Sequence, residues 1–176
     1  MTMQLRIDAK DLIAKEDTLP ADVADAQEIA SVKGGIARGT TVLTARGEVR
    51  IEELEIGDRV ITRERGFAIL RRIDRVDAPA CTIRTDSLGL ARPDRDTTVA
   101  ADQHIALRDW RAKALFDTEA ALVPASRLTD GKQISRFGEA CFYRLSFDAP
   151  LTVYANGLET PVGRTEADVI EVPPHS

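Results

Sequence analysis

The stretch Gly39-Thr40-Thr41-Val42-Leu43-Thr44-Ala45-Arg46-Gly47-Glu48-Val49-Arg50-Ile51, continued by Ile56-Gly57-Asp58-Arg59-Val60-Ile61-Thr62, decides the fold class. Its apolar residues recur every second position and its turn residues cut it into runs of about four, the period of strands rather than of helices. Thr41–Thr44 and Val49–Ile51 flank Ala45-Arg46-Gly47-Glu48 and read as a hairpin. Ile56-Gly57-Asp58 turns the chain into the next strand, Arg59–Thr62, and Arg65-Gly66 turns it again into Phe67–Ile73. Downstream the same texture predicts strands at Cys81–Thr85, Thr97–Ala101, His104–Leu107, Gln133–Arg136, Cys141–Phe147 and Thr152–Ala155. One helical turn is expected at Pro124–Leu128, closed by Asp130-Gly131. Short strands broken by bends predict an all-β fold of bent strands rather than a flat sandwich.

Upstream of Gly34-Gly35 the chain is acidic, Ala-rich and divided by Pro20, with room for one amphipathic helix at about residues 21–32. The expected organisation is an amino-terminal arm at 1–33, a domain at 34–163 and a tail at 164–176. The chain of 176 residues is long enough for one domain that needs no staples, and its 43% hydrophobic and 30% charged residues are ordinary for a globular protein. No stretch approaches the roughly 18 apolar residues of a membrane span, and no secretory signal is visible. The cytoplasm is therefore the expected compartment, with secretion that uses no amino-terminal signal left open. A net charge of −5 gives no global attraction to nucleic acid, and no membrane partner is expected. Another protein is the partner class left.

Cys81, Cys141, His104 and His175 cannot be spaced into a structural zinc site, and neither a metal nor a cofactor is expected. Both cysteines sit in alternating apolar segments and read as buried thiols. Trp110 and Phe116 read as core anchors. Asn156-Gly157 reads as a tight turn after a strand. His104 reads as a strand histidine holding a backbone carbonyl, and His175 lies in the tail. Glu52, Glu53, Glu55 and Asp58 read as a solvated acidic surface. Arg63, Arg65, Arg71, Arg72 and Arg75, interleaved with Glu64, Asp74 and Asp77, read as an exposed face of mixed sign.

The opening stretch also resembles the start of the Hint domain shared by hedgehog autoprocessing regions and inteins. Asp102-Gln103-His104-Ile105-Ala106-Leu107, Trp110-Arg111-Ala112, Leu122-Val123-Pro124-Ala125 and Val153-Tyr154-Ala155-Asn156-Gly157-Leu158 resemble the bacterial branch of that family. The resemblance runs from about Gly35 to Gly163. It implies an all-β, compact disc of bent strands with one or two short helices and with the two ends of the module close together.

The chemistry it implies is an acyl shift: a Cys or Ser at the first position attacks the preceding carbonyl, a Thr-x-x-His element assists, and a terminal Asn cyclises. Carried over by position, the catalytic candidates are His104 and Asn156. The nucleophile position, however, is Gly35, and the hydroxyl partner of the histidine is Ala101 in Ala101-Asp102-Gln103-His104. Asn156 is preceded by Ala155 and followed by Gly157, where splicing members carry His and a Cys, Ser or Thr. The expectation is a domain without self-cleavage, acting as a binding or structural module. Two alternatives stand beside it: an active autoproteolytic domain with an offset nucleophile at Thr40, Thr41 or Cys141, and an amino-terminal arm that docks on a partner while the domain presents it.

Overall fold

The computed structural model describes residues 32–172. The helix expected at about 21–32 and the terminal His175 therefore lie outside the described residues, apart from Val32, which has no regular structure. From Lys33 onward the chain folds as strands, in agreement with the all-β expectation.

In chain order the elements are β1 (Ile36–Ala37), β2 (Thr41–Thr44), β3 (Gly47–Arg50), β4 (Arg59–Thr62), β5 (Gly66–Ile69), β6 (Arg72–Ile83), β7 (Thr97–Ala100) and β8 (His104–Leu107). They continue as α1 (Trp110–Phe116), β9 (Ala121–Pro124), β10 (Ile134–Ser146), β11 (Leu151–Ala155), β12 (Leu158–Val162) and β13 (Ile170–Glu171). Single 3-10 turns at Ile51–Glu53 and Ala125–Leu128 complete the set, the second where a helical turn is expected.

Three sheets share these strands. One runs β12-β11-β2-β4-β5, with β3 on β2. The second closes into a barrel in the order β10-β1-β7-β6, and the third runs β13-β9-β8. The barrel is dominated by β6 and β10, which pair antiparallel along their whole length from Ile83↔Ile134 to Arg72↔Ser146. The sequence suggests separate strands here because Pro79 and Gly138 interrupt it. The structure instead carries both strands through, with a register shift between Phe137 and Glu139 opposite Pro79. A proline cannot donate to the ladder, and a bulge is where it is tolerated.

Two large apolar clusters fill the domain. Ile36, Val42, Ile51, Val60, Leu70, Leu145 and Val153 form one, and Ile83, Val99, Ile105, Leu107, Val123, Ile134 and Leu158 form the other. A small third cluster matters most for the site: the fully buried ring of Phe142 sits among Ala80, Ala100, Ala37, Ala78 and Ala140. Burying one such ring contributes roughly 1.5–3 kcal/mol.

Several expectations are corrected. Trp110 is 68% exposed rather than in the core, because α1 turns Ala112 and Phe116, one helical turn apart, towards the interior. Cys81 is buried but Cys141 is exposed, since its neighbour Phe142 takes the inward position of the strand. The segment after Gly163 is more than a tail: Val169 packs on the second cluster and Ile170–Glu171 pair with Leu122 and Ala121. The two ends of the domain meet, as the Lys33 N–H donates to the Arg164 carbonyl at 2.7 Å. Among the described residues, no helix is long and apolar enough to cross a membrane.

Candidate functional site

The place to look for acyl chemistry is the peptide bond between Gly34 and Gly35, where the chain enters the barrel ahead of β1. The β7–β8 loop grips it. That loop is itself fixed on both sides: Ala101 N–H donates to Pro79 O, Gln103 N–H to Ala100 O, Ala125 N–H to Gln103 O and Ser126 N–H to Ala101 O. Its side chains then reach the glycines. Gly34 N–H donates to Asp102 Oδ1 at 3.1 Å, and Gly35 N–H donates to Gln103 Oε1 at 2.8 Å. From β10, Arg144 Nε donates to the Gly34 carbonyl at 2.8 Å.

Gln103 is the keystone of this arrangement and is 2% exposed. Its Nε2 donates to the carbonyls of His104 at 2.8 Å and Pro161 at 2.6 Å while Oε1 accepts from Gly35. Two carbonyls and one N–H leave only one orientation for the carboxamide. Sequence reasoning missed this residue, although its place directly before His104 was the available signal.

Chemically, the site can polarise the Gly34 carbonyl. A guanidinium N–H on that oxygen is the kind of donor that stabilises a developing oxyanion. Gln103, by contrast, accepts from the amide nitrogen and has no proton to give a leaving amine. Gly35 offers no attacking atom, and the space where one would sit is filled. A Cβ built on Gly35 would lie 2.5 Å from Phe142 Cβ and 3.2 Å from its Cγ, at a backbone φ of +155°. Ala101 is buried with no hydroxyl to share.

His104 and Asn156 serve other partners. His104 is 2% exposed at the start of β8, and its Nε2 meets the Asp168 carbonyl at 2.9 Å. A carbonyl only accepts, so Nε2 carries the proton in this contact. The strand-histidine expectation is met, and the ring is buried.

Asn156 occupies the β11–β12 turn with φ +49°, followed by Gly157 at φ +84°, the double positive φ of a type I′ turn. Its Oδ1 accepts from both Thr41 N–H and Thr41 Oγ1 at 3.0 Å, and its Nδ2 donates to Thr97 Oγ1 at 2.9 Å. The side chain thus ties the turn to β2 and β7, and among the described residues it shares no hydrogen-bond partner with the Gly34–Gly35 peptide. Among the described residues, no three His, Cys, Asp or Glu side chains converge as metal ligands would.

The acidic surface divides its work. Glu52 accepts from Gly39 N–H, and that bond holds its carboxyl below the usual range. Asp58 is lowered in the same way by Glu55 N–H, with Arg46 adding to it.

Comparison with known proteins joins these observations. The chain is similar to the gp41-1 intein, at 14% identity and a TM-score of 0.50, with 73% of this chain and 98% of that one covered. It is also similar to a DnaB intein from Synechocystis sp. PCC 6803, at 15% identity and a TM-score of 0.51, with 74% and 99% covered. At such identities the likeness is one of fold. No curated protein matches the sequence. A family model described as Hint domain matches residues 35–161, from the gripped glycine to the strand whose Pro161 carbonyl Gln103 holds, and the chain therefore belongs to the Hint-domain family.

Proposed function

We propose that this Hint domain leaves its amino-terminal junction uncut and works as a binding or structural module, a pseudoenzyme on an autoprocessing scaffold. The observation that carries this reading is the contact at position 35, where a side chain would meet Phe142 Cβ at 2.5 Å. The nucleophile is thus missing from a place with no room for it. The grip of Gln103, Asp102 and Arg144 on Gly34 and Gly35 supports the same reading, because it serves to fix a peptide as well as to activate one.

The competing reading, an offset nucleophile, draws less support. The Thr41 hydroxyl is donated to Asn156, Thr40 is buried, and Cys141 points away from the face on which Phe142 meets Gly35. A second protein is the partner class in this proposal, the cytoplasm its compartment and a bacterial protein its context.

Intact-mass spectrometry of freshly purified protein, repeated after incubation at neutral and mildly alkaline pH with and without a strong thiol, tests the proposal. A single unchanged mass is expected. Fragments ending at Gly34 or Asn156 would overturn it.

A further inference from the structure

Away from the junction, a cleft of about 480 Å³ opens between the β13-β9-β8 sheet and the edge of the six-stranded sheet. That volume falls within the roughly 300–1,000 Å³ of ligand pockets. Its floor is a single cross-strand row. Ile170 pairs with Leu122 and Leu122 with Ala106, so the three side chains share one face of the sheet. The row is apolar.

The polar end of the cleft is built around Glu159, whose Oε1 lies 3.2 Å from Arg63 Nε and 3.1 Å from Arg108 Nε. The carboxylate is 14% exposed, and it joins an arginine after β4 to one after β8 across the two sheets. Both arginines are engaged through Nε alone. Among the described residues neither has another acceptor, so the two Nη edges remain available. At this contact two guanidinium groups share one carboxylate, although the wall as a whole is balanced in charge, so an anion would be held by the free Nη edges rather than by a net positive charge. Glu64, also on the wall, has both oxygens taken by Thr152, from its N–H and its hydroxyl at 2.7 Å each.

We propose that this cleft binds a single carboxylate carried on a short aliphatic stem, seated on the free edges of Arg63 and Arg108 with the stem along Ala106, Leu122 and Ile170. A planar carboxylate matches the guanidinium fork bidentately. The wall as a whole carries three arginines, of which Arg164 is paired with Glu166, and the three glutamates 64, 159 and 171, a balance that disfavours a polyanion and leaves a monoanion to the two free guanidinium edges. Two sources supply that chemistry: a free branched-chain acid, or the last residue of a peptide ending in an aliphatic side chain. The inference deepens the binding role proposed above and names its ligand class.

The test is a titration of the full chain, followed by NMR, with acetyl-Ala-Leu as the free acid, with the same dipeptide as its amide, and with 4-methylpentanoate. Saturable shifts at Ala106, Leu122 and Ile170 are expected with the acid, and binding about tenfold or more weaker with the amide. Equal affinity for 4-methylpentanoate identifies a free acid as the source, and binding of the dipeptide acid alone identifies a peptide terminus. Arg63→Gln and Arg108→Gln, made singly so that Glu159 keeps one partner, should each weaken the acid several-fold and leave the amide unchanged. Equal affinity for acid and amide, shifts elsewhere, or no saturation would overturn the proposal. An uncut chain that ignores all three ligands refutes the cleft assignment alone, whereas fragments in the mass spectrum refute the uncut junction alone.

Discussion

Substituting Gly35 by alanine is the sharpest probe of the closed junction. The added Cβ would lie 2.5 Å from Phe142 Cβ, well inside the 3.4 Å at which ordinary contact begins. The obstacle is the near end of the Phe142 side chain, fixed to a strand that pairs with β1 at Phe142↔Ala37 and with β6 at Phe142↔Val76, so no rotamer change relieves it. Overpacking of this kind costs about 1–3 kcal/mol, and a non-glycine residue held at such a φ adds about 1–3 kcal/mol. A loss near 3 kcal/mol lowers the melting temperature of a domain this size by roughly 6–12 °C. Thermal unfolding followed by circular dichroism reads it directly. Gly39→Ala is the control: its φ is +90° and its Cβ would meet nothing within 4 Å, so it carries the backbone cost alone. If Gly35→Ala lost no more stability than Gly39→Ala, position 35 would be an empty slot rather than a closed one, and the reasoning would fail.

Other outcomes follow from the same contacts. Asn156→Ala strands the Thr41 N–H and the Thr41 hydroxyl, takes one donor from Thr97 Oγ1, which keeps its bond to the Arg95 carbonyl, and places alanine at φ +49°; a loss of about 2–4 kcal/mol is expected in urea unfolding, and an unchanged midpoint would contradict the tie between β2, β7 and the turn. Native alkylation followed by peptide mapping should modify Cys141 and spare Cys81, whose thiol is buried and pushed up by that burial; equal labelling would contradict the placement. Asp130 accepts the N–H groups of Ile134, Lys132 and Gln133 at 2.9 Å each, which holds its carboxyl below the ordinary 3.8. A depressed folded value means the contribution is present above 3.8 and is lost as the pH falls through that lower value. Asp130→Asn should therefore be less stable than the parent at neutral pH and converge with it in acid, and a gap independent of pH would refute the assignment.

The strands that alternate cleanly were legible: Thr41–Thr44, Arg59–Thr62 and His104–Leu107 fall where the period of two puts them. Those that escaped lack the alternation. Ala121–Pro124 is buried at every position, so its sequence shows no alternation between a wet and a dry face. Leu158–Val162 carries Pro161, and Ile170–Glu171 is too short to show a period. The helix had a readable start, since Asp109 accepts from Arg111 N–H as an N-cap and good helix formers follow it. The aromatic residues there drew attention to the core instead.

The site was legible in register but not in detail, and the reason is geometric. A motif match fixes which segment approaches the junction, and the segment 101–104 does approach it. Which of its side chains faces the glycines depends on where the loop is pinned, and besides the local turn bond from Gln103 to Ala100 the pins are Pro79, Ala125 and Ser126, all set by tertiary packing. With those fixed, Gln103 meets Gly35 while His104 meets Asp168. Phe142 is more distant still in sequence, and it comes to lie on Gly35 only because β1 pairs with β10. The alanines at 37, 78, 80, 100 and 140 leave that ring its place. Glycine at 35 and phenylalanine at 142 are thus one packing solution: a larger residue at 35 meets the Cβ of any residue but glycine at 142, so room comes only from a shift of the strand or from losing the whole buried ring, and truncating a buried Phe costs about 3–5 kcal/mol. Installing a thiol at position 35 therefore changes the barrel before it changes the chemistry.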